Sequence, residues 1–293
     1  SFSGCCRLLP SDYPADSPDP STVDPAMSTS PLATEVRDRG FCILPDIVPL
    51  NRCEQIADSV RGTVERLRET YPCPEQVGFV PGLVNHDQSF AEYLASPPLL
   101  DLCHELLGHN IRITFTSAII NHPGNLRGDW HADWPFNQTN AGHVPAPYPD
   151  RIMHLTTLWM ITEFTTENGA TLVVPRSHLE PTNPTAADWN GPTDQPFDNE
   201  HRACGPAGSV LVMDSRMWHA TSPNSTDTDR VALAVRYGPW WLNSEVLRPG
   251  SETRRQMVDE PGLADNQVPP VPRDVYDRLP RDVQPLYRHW IEP

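Results

Sequence analysis

The sequence predicts an α+β fold with a mainly β core, and three observations predict it. Helical patterns occupy the first third of the chain, short apolar strands follow, and Pro-, Gly- and Asn-rich turns separate those strands. Helices first and a run of strands after them describe one domain built around a β-sandwich or small barrel. At 293 residues the chain is long enough to bury a substantial core.

Residues 1–30 are dense in Pro, Ser and Asp and carry few core-forming side chains. They are expected to be a disordered extension, with Met27 a candidate start and the folded domain over 31–293. "PLATEVRDRGFCILPDIVP" reads as a short helix stopped by Gly40, then an apolar strand. In "PLNRCEQIADSVRGTVERLRETY", Cys53, Ile56, Val60, Val64 and Leu67 fall at helical spacing and predict an amphipathic helix. "SFAEYLASPPLLDLCHELLGHN" supplies two more short helices, the second ended by Gly108. Strands are expected at 111–121, 129–134, 152–161, 170–175, 208–214 and 230–238. The Asn-Gly of "ENGATLVVP" suits a tight turn. The tail, 242–293, is Pro- and Arg-rich, with a short helix expected in "RDVQPLYRHW" that packs back on the body.

A formal net charge of −16 repels nucleic acid and anionic membrane surfaces, so neither is an expected partner. All 22 basic residues are Arg, which removes a Schiff-base lysine, a pyridoxal phosphate anchor and a Walker-A lysine. The seven cysteines form no C-x-x-C pair, which argues against zinc-ribbon, thioredoxin and disulfide-framework readings. No window approaches the ~18 apolar residues of a membrane span, and the N-terminus lacks a secretory pattern, so a cytoplasmic location is expected. A small-molecule substrate is the expected partner. Oligomeric state is not legible.

In "GDWHADWPFNQ", His131 and Asp133 lie two apart, which on a strand places both on one face. Iron used for oxygen chemistry is typically held by two His and one carboxylate, so a second His must come from elsewhere. The best candidate is His219, in the strand–turn–strand pattern "GSVLVMDSRMWHATSPNSTDTDRVALAVRYGP". A turn centred on Asn224 and Ser225 sets His219 opposite Arg230, and Thr221 opposite Thr228. That register brings a guanidinium beside the site, where it can clamp a dicarboxylate.

Candidate pocket residues are Trp134 and Asn137 just beyond the pair, Trp241 after the returning strand, and Thr116, on a face with Ala118 and Ile120 expected to point inward. His86 is a further residue to locate, whereas Trp159 and Trp218 are expected in the core. The pairs Asp227/Asp229 and Asp194/Asp198 read as solvated surface, and no G-x-S-x-G nucleophile motif occurs.

"LLDLCHELLGHNIRI", "WHADW", "TTENGATLVVPRSH" and "GSVLVMDSRMWHATSPNSTDTDR", in that order, resemble the phytanoyl-CoA dioxygenase (PhyH-like) branch of the Fe(II)/2-oxoglutarate oxygenases, over about residues 33–290. The resemblance implies a double-stranded β-helix (jelly roll, cupin-like) with N-terminal helices packed on it. It implies His131, Asp133 and His219 as catalytic Fe(II) ligands, Arg230 on the distal carboxylate of 2-oxoglutarate, and Thr221 beside it. It further implies 2-oxoglutarate and O2 as cosubstrates, release of succinate and CO2, and hydroxylation of an unactivated C–H of a small organic molecule. Related halogenases replace the carboxylate with a small residue, so Asp133 favours hydroxylation. His122 stands where relatives are often basic and takes no assigned role. Two alternatives stay open, a catalytically silent binding protein on this scaffold and a cupin-like metal enzyme working without 2-oxoglutarate. Both leave Arg230 unexplained.

Overall fold

Ser30 caps the first helix, α1 (Pro31–Arg39), by accepting the Ala33 amide at 3.2 Å. Gly40, at φ +94°, ends it and feeds the chain straight into β1 (Phe41–Leu44). The computed structural model describes residues 29–137, 144–186 and 189–292, so the extension expected over 1–30 lies almost wholly outside the described residues. α2 (Leu50–Arg66) buries Cys53, Ile56, Val60 and Val64, the stripe its spacing predicts. α3 (Pro97–Leu107) stops at Gly108.

The strands form two antiparallel sheets. The larger one runs in the order β1, β7 (Val210–Asp214), β4 (Leu155–Met160), β9 (Arg230–Pro239), β3 (Ile111–Asn121), β2 (Val77–Pro81). The smaller one is β6 (His201–Ala203), β5 (Thr171–Val173), β8 (His219–Ala220). This is the jelly roll that the resemblance implies, with the helices on the outer face of the larger sheet.

Alternation along β9 makes the two faces explicit. Val231, Leu233, Val235 and Tyr237 share one apolar cluster with the three helices. Ala232 and Ala234 share another with Leu158, Leu211 and Met213 of the larger sheet and Val173 and Ala203 of the smaller one. The even positions of β9 therefore point between the sheets, and Arg230 and Arg236 lie on that same inner face.

Three expectations are overturned here. Residues 129–134 do not form a strand; only a one-residue bridge, His131 to His219, joins them to the smaller sheet. β8 and β9 are not a hairpin: β8 pairs with β5 (Val173 opposite His219), whereas β9 pairs with β3 and β4. The polar stretch between them crosses from one sheet to the other. Asn224 explains why it does not reverse locally, since its side chain donates to Asn121 O at 2.8 Å and Thr228 O at 2.9 Å. The third concerns β3, whose inward face carries Phe115, Ser117 and Ile119, while Ala118 and Ile120 pack with the helices. Both faces of β3 are buried, so no polar alternation in the sequence marks which is which. β2 and β6 were not expected. Among the described residues no helix is long and apolar enough to cross a membrane.

Candidate metal centre

His131 and His219 exchange backbone hydrogen bonds of 3.1 and 3.0 Å, which sets their rings side by side with centroids 4.2 Å apart. Each Nδ1 lies 3.0 Å from a carbonyl oxygen two residues earlier, that of Asp129 or Met217. A carbonyl only accepts, so Nδ1 carries the proton and Nε2 presents its lone pair. Asp133 joins them because its amide donates to Ser215 O at 2.9 Å. Its carboxylate stands 3.9 Å from His131 Nε2 and 3.8 Å from His219 Nε2. All three donor atoms lie within 4.8 Å of one another, close enough to converge on one cation. Among the described residues this is the only cluster of three such side chains.

The charge states suit that use. Burial pushes the Asp133 carboxyl up, but Arg236, then His219, His131 and the Thr156 hydroxyl outweigh it and hold it well below the usual carboxylate range. Burial, then His131, lowers His219 to about 4, leaving a neutral imidazole. Two imidazoles and one carboxylate with open positions are the donor set of non-haem Fe(II).

Residues that sequence reasoning missed hold the carboxylate. Arg236 Nη2 donates to Asp133 Oδ1 at 2.6 Å, and Thr156 Oγ1 to Oδ2 at 2.7 Å. Ser215 Oγ follows at 2.8 Å, His154 Nδ1 at 2.7 Å from it, and Thr114 Oγ1 at 2.8 Å from His154 Nε2. An ionised Asp133 can only accept, which fixes every proton in this row. Thr156 donates to Asp133, Ser215 to Thr156, His154 to Ser215, and Thr114 to His154. Burial, then Arg236, lowers His154 to about 3, consistent with its neutral role in the row. Arg236 had a legible signal, being an even step along β9 from Arg230. Thr156, Ser215 and His154 had none, because they are far apart in sequence.

A pocket of about 240 Å3 reaches the triad from the inner face of the larger sheet. Phe115, Ser117, Thr221, Arg230, Arg236 and Asn266 are among its lining residues. Arg230 is 3% exposed, stands 4.4 Å over the Phe164 ring, and has no carboxylate in ion-pair range among the described residues. Burial lowers it to about 10, so it stays cationic at neutral pH. A buried guanidinium left unpaired is costly and calls for an anion. His131 and Thr221 also line a wider cleft of about 770 Å3 with Asp129, Trp130, Thr185 and Leu263, so the two spaces meet at the triad.

The structure thus brings His131, Asp133, His219, Thr221 and Arg230 together, by convergence of the two sheets rather than by the expected hairpin. It does not bring the other candidates. Trp134 is buried edge-on against His154, with centroids 4.9 Å apart. Thr116 lies on the opposite face of β3, where its hydroxyl accepts the Val84 amide at 3.5 Å. Trp241 is half-exposed in a separate cavity. Asn137 is partly buried and is not among the lining residues described above. His86 sits against the Tyr71 hydroxyl at 3.4 Å. His122, unassigned from sequence, pairs with Asp229 at 2.7 Å. Of the expected core tryptophans, Trp159 and Trp218 are both buried.

Comparison with known proteins is consistent with this geometry. A family model described as phytanoyl-CoA dioxygenase (PhyH) matches residues 36–232. "Dioxygenase af480" of Aspergillus fumigatus is 27% identical over 226 residues, covering 73% of this chain and 68% of that protein. HygX from Streptomyces hygroscopicus, solved with nickel, 2-oxoglutarate and hygromycin B, superposes with a TM-score of 0.57 at 17% identity, over 74% of this chain and 90% of that one. The epimerase SnoN, solved with Fe3+, alpha ketoglutarate and nogalamycin RO, gives 0.55 at 17% identity, over 71% and 82%.

Proposed function

This chain belongs to the phytanoyl-CoA dioxygenase family and is a non-haem Fe(II)/2-oxoglutarate-dependent oxygenase, and from that premise we propose that it hydroxylates a C–H bond of a bulky small organic molecule. Arg230 carries the assignment of residues: a buried cation without a carboxylate partner, in the pocket that also holds the three-donor cluster.

His131, Asp133 and His219 hold Fe(II) in this reading. The metal, when bound with 2-oxoglutarate and O2, supplies the oxidising power and the cosubstrate leaves as succinate and CO2. The protein's own work is to position and to exclude. Arg230 takes the distal carboxylate of 2-oxoglutarate as a charge-assisted pair, and Thr221 offers a hydroxyl in the same pocket. The Nδ1 anchors keep both Nε2 lone pairs on the metal side. Arg236 and Thr156 keep Asp133 from rotating. Phe79, Phe115, Ile119 and Leu158 make the inner walls apolar and keep bulk water out. A silent scaffold or a metal hydrolase leaves the buried Arg230 without a use.

The outer cleft, about 770 Å3, has the size of a site for a drug-sized molecule. Asp129 is the one carboxylate among its described lining residues, which suits a neutral or amine-bearing ligand. HygX and SnoN, with hygromycin B and nogalamycin RO bound, are consistent with a multi-ring substrate. The test is anaerobic addition of Fe(II) and 2-oxoglutarate, expected to give a weak visible metal-to-ligand band and thermal stabilisation. Absence of both would overturn the site assignment. Substrate-stimulated succinate release across a panel of amine-bearing and neutral polycyclic compounds then tests the substrate class, and stimulation by neither group rejects it.

A further inference from the structure

Trp241 was a candidate substrate contact from sequence, and its actual position defines a different cavity. Trp240 and Trp241 follow β9 directly and are 57% and 50% exposed, the only large aromatics so exposed among the described residues. Together with Arg112, Arg248, His289 and Trp290 they line a cavity of about 420 Å3 that shares no residue with the metal pocket or the outer cleft. Trp290 is buried and donates to Val268 O at 3.1 Å, which makes it a fixed wall. The Arg248 guanidinium lies 4.7 Å over its ring.

Some polar groups around this cavity lack partners among the described residues. Both ring nitrogens of His289 and the Nε of Arg248 are buried with no hydrogen-bond partner among the described residues. Burial, then Arg112 and Arg248, lowers His289 to about 4, so its neutral ring offers one N–H and one lone pair. Glu245 is the only carboxylate in the lining, and its Oε2 already accepts from Thr253 at 3.0 Å. Neither Arg112 nor Arg248 has a carboxylate in ion-pair range among the described residues. Two guanidiniums lining one cavity without a carboxylate partner among the described residues are unexpected in a chain with 38 acidic and 22 basic residues. Cationic side chains without a carboxylate partner around one cavity mark a place where an anion fits.

We propose that this cavity is a second ligand site, distinct from the metal centre, for a planar aromatic or heteroaromatic anion whose ring packs on Trp240 and Trp241 and whose carboxylate, sulfonate or phosphate meets Arg112 and Arg248. Guanidinium planes recognise such oxyanions bidentately, and indole faces supply contact area at low entropic cost. A second copy of the chain is the competing occupant. The concavity favours a small ligand over the face of a second chain.

The test uses the full chain with a chelator present, so that no metal can bind the probe. 2-Naphthoate and its uncharged isostere 2-naphthamide are titrated by calorimetry. One site is expected, with the acid preferred at least about tenfold. Arg248→Gln removes that preference, Arg248→Lys keeps part of it, and Trp241→Ala weakens both ligands. Arg230→Ala leaves them unchanged. Equal binding, no binding of either compound, or loss of binding in Arg230→Ala overturns the proposal. So does a dimer seen in sedimentation without probe and abolished by Trp241→Asp. Loss in Arg230→Ala would put the probe in the metal pocket instead; the other outcomes leave the metal centre aside, and the visible band tests it independently.

Discussion

Asp133 stays ionised in the interior because Arg236 and Thr156 each donate to one of its oxygens. Thr156→Val removes one donor and breaks the row. Divalent-metal affinity, read by calorimetry with Ni(II), is expected to fall about 10- to 100-fold. Stability in urea is expected to drop by about 1–3 kcal/mol, with Thr156→Ser restoring most of both. Unchanged metal affinity in Thr156→Val would show that Arg236 alone holds the carboxylate. At the other end of the pocket, Arg230→Ala is expected to weaken 2-oxoglutarate binding about 30-fold or more, the loss of one partner in a buried charge pair. Ni(II) binding without cosubstrate is expected to stay within about threefold, because Arg230 forms no ion pair with Asp133 among the described residues. Cosubstrate affinity that does not move places the distal carboxylate elsewhere. His131 and Asp133 were legible in the sequence as a pair, but a one-residue bridge and the Asp133 amide bond to Ser215 O, not the expected strand, bring them together. Arg236 carried a signal as an even step from Arg230, one that gained its meaning when β9 was seen to turn those positions toward the triad.

The elements show where local signals suffice and where they fail. α1, α2 and α3 are legible because caps, stops and apolar spacing are written within a few residues. The crossover after His219 is not, because strand pairing is non-local and the same polar turn fits a hairpin equally well. The crossover is held at Gly169, which sits at φ +87° before β5. A Cβ there overlaps the Asn121 side-chain nitrogen and comes 2.7 Å from Ser222 O, and those two groups are themselves bonded at 3.2 Å. Gly169→Ala is therefore expected to cost about 1–3 kcal/mol in urea unfolding and to weaken Ni(II) binding. Gly124→Ala is the control: φ is +79°, but the Cβ meets nothing within 4 Å, so only the backbone strain of about 1 kcal/mol remains. Equal losses in the two variants would mean that the contact with Asn121 does not matter.

For the whole molecule, the buried histidines set the response to acid. His154 at about 3, and His219 and His289 at about 4, all lie below the ordinary value of 6.5. The unfolded chain takes up protons that the folded chain refuses, so their contribution is complete above pH 6.5 and is lost as pH falls below it. Asp133 does not enter that window, because its depressed carboxyl loses its contribution only below the ordinary carboxylate value of 3.8. Tm of the metal-free protein is expected to fall by about 5 °C or more between pH 7 and 4.5. A flat Tm over that range would mean that these rings are hydrated or protonated in the fold.

By itself, the sequence determined the class of fold and singled out two His, one Asp and one Arg as a candidate site. The fold class and the His131–Asp133 pair rest on residue type and short-range pattern, whereas His219 and Arg230 were picked out by their strand–turn pattern and the family resemblance. The tertiary structure decided what distance in sequence conceals. It decided that His219 meets His131 through the smaller sheet while Arg230 arrives on the larger one. It placed Arg236, Thr156, Ser215 and His154 behind Asp133, and moved Trp241 away to a cavity of its own. Each of these follows from which strand lies beside which, and that is settled by burying two faces of a sheet at once, a property of the assembled core that no short stretch of chain contains.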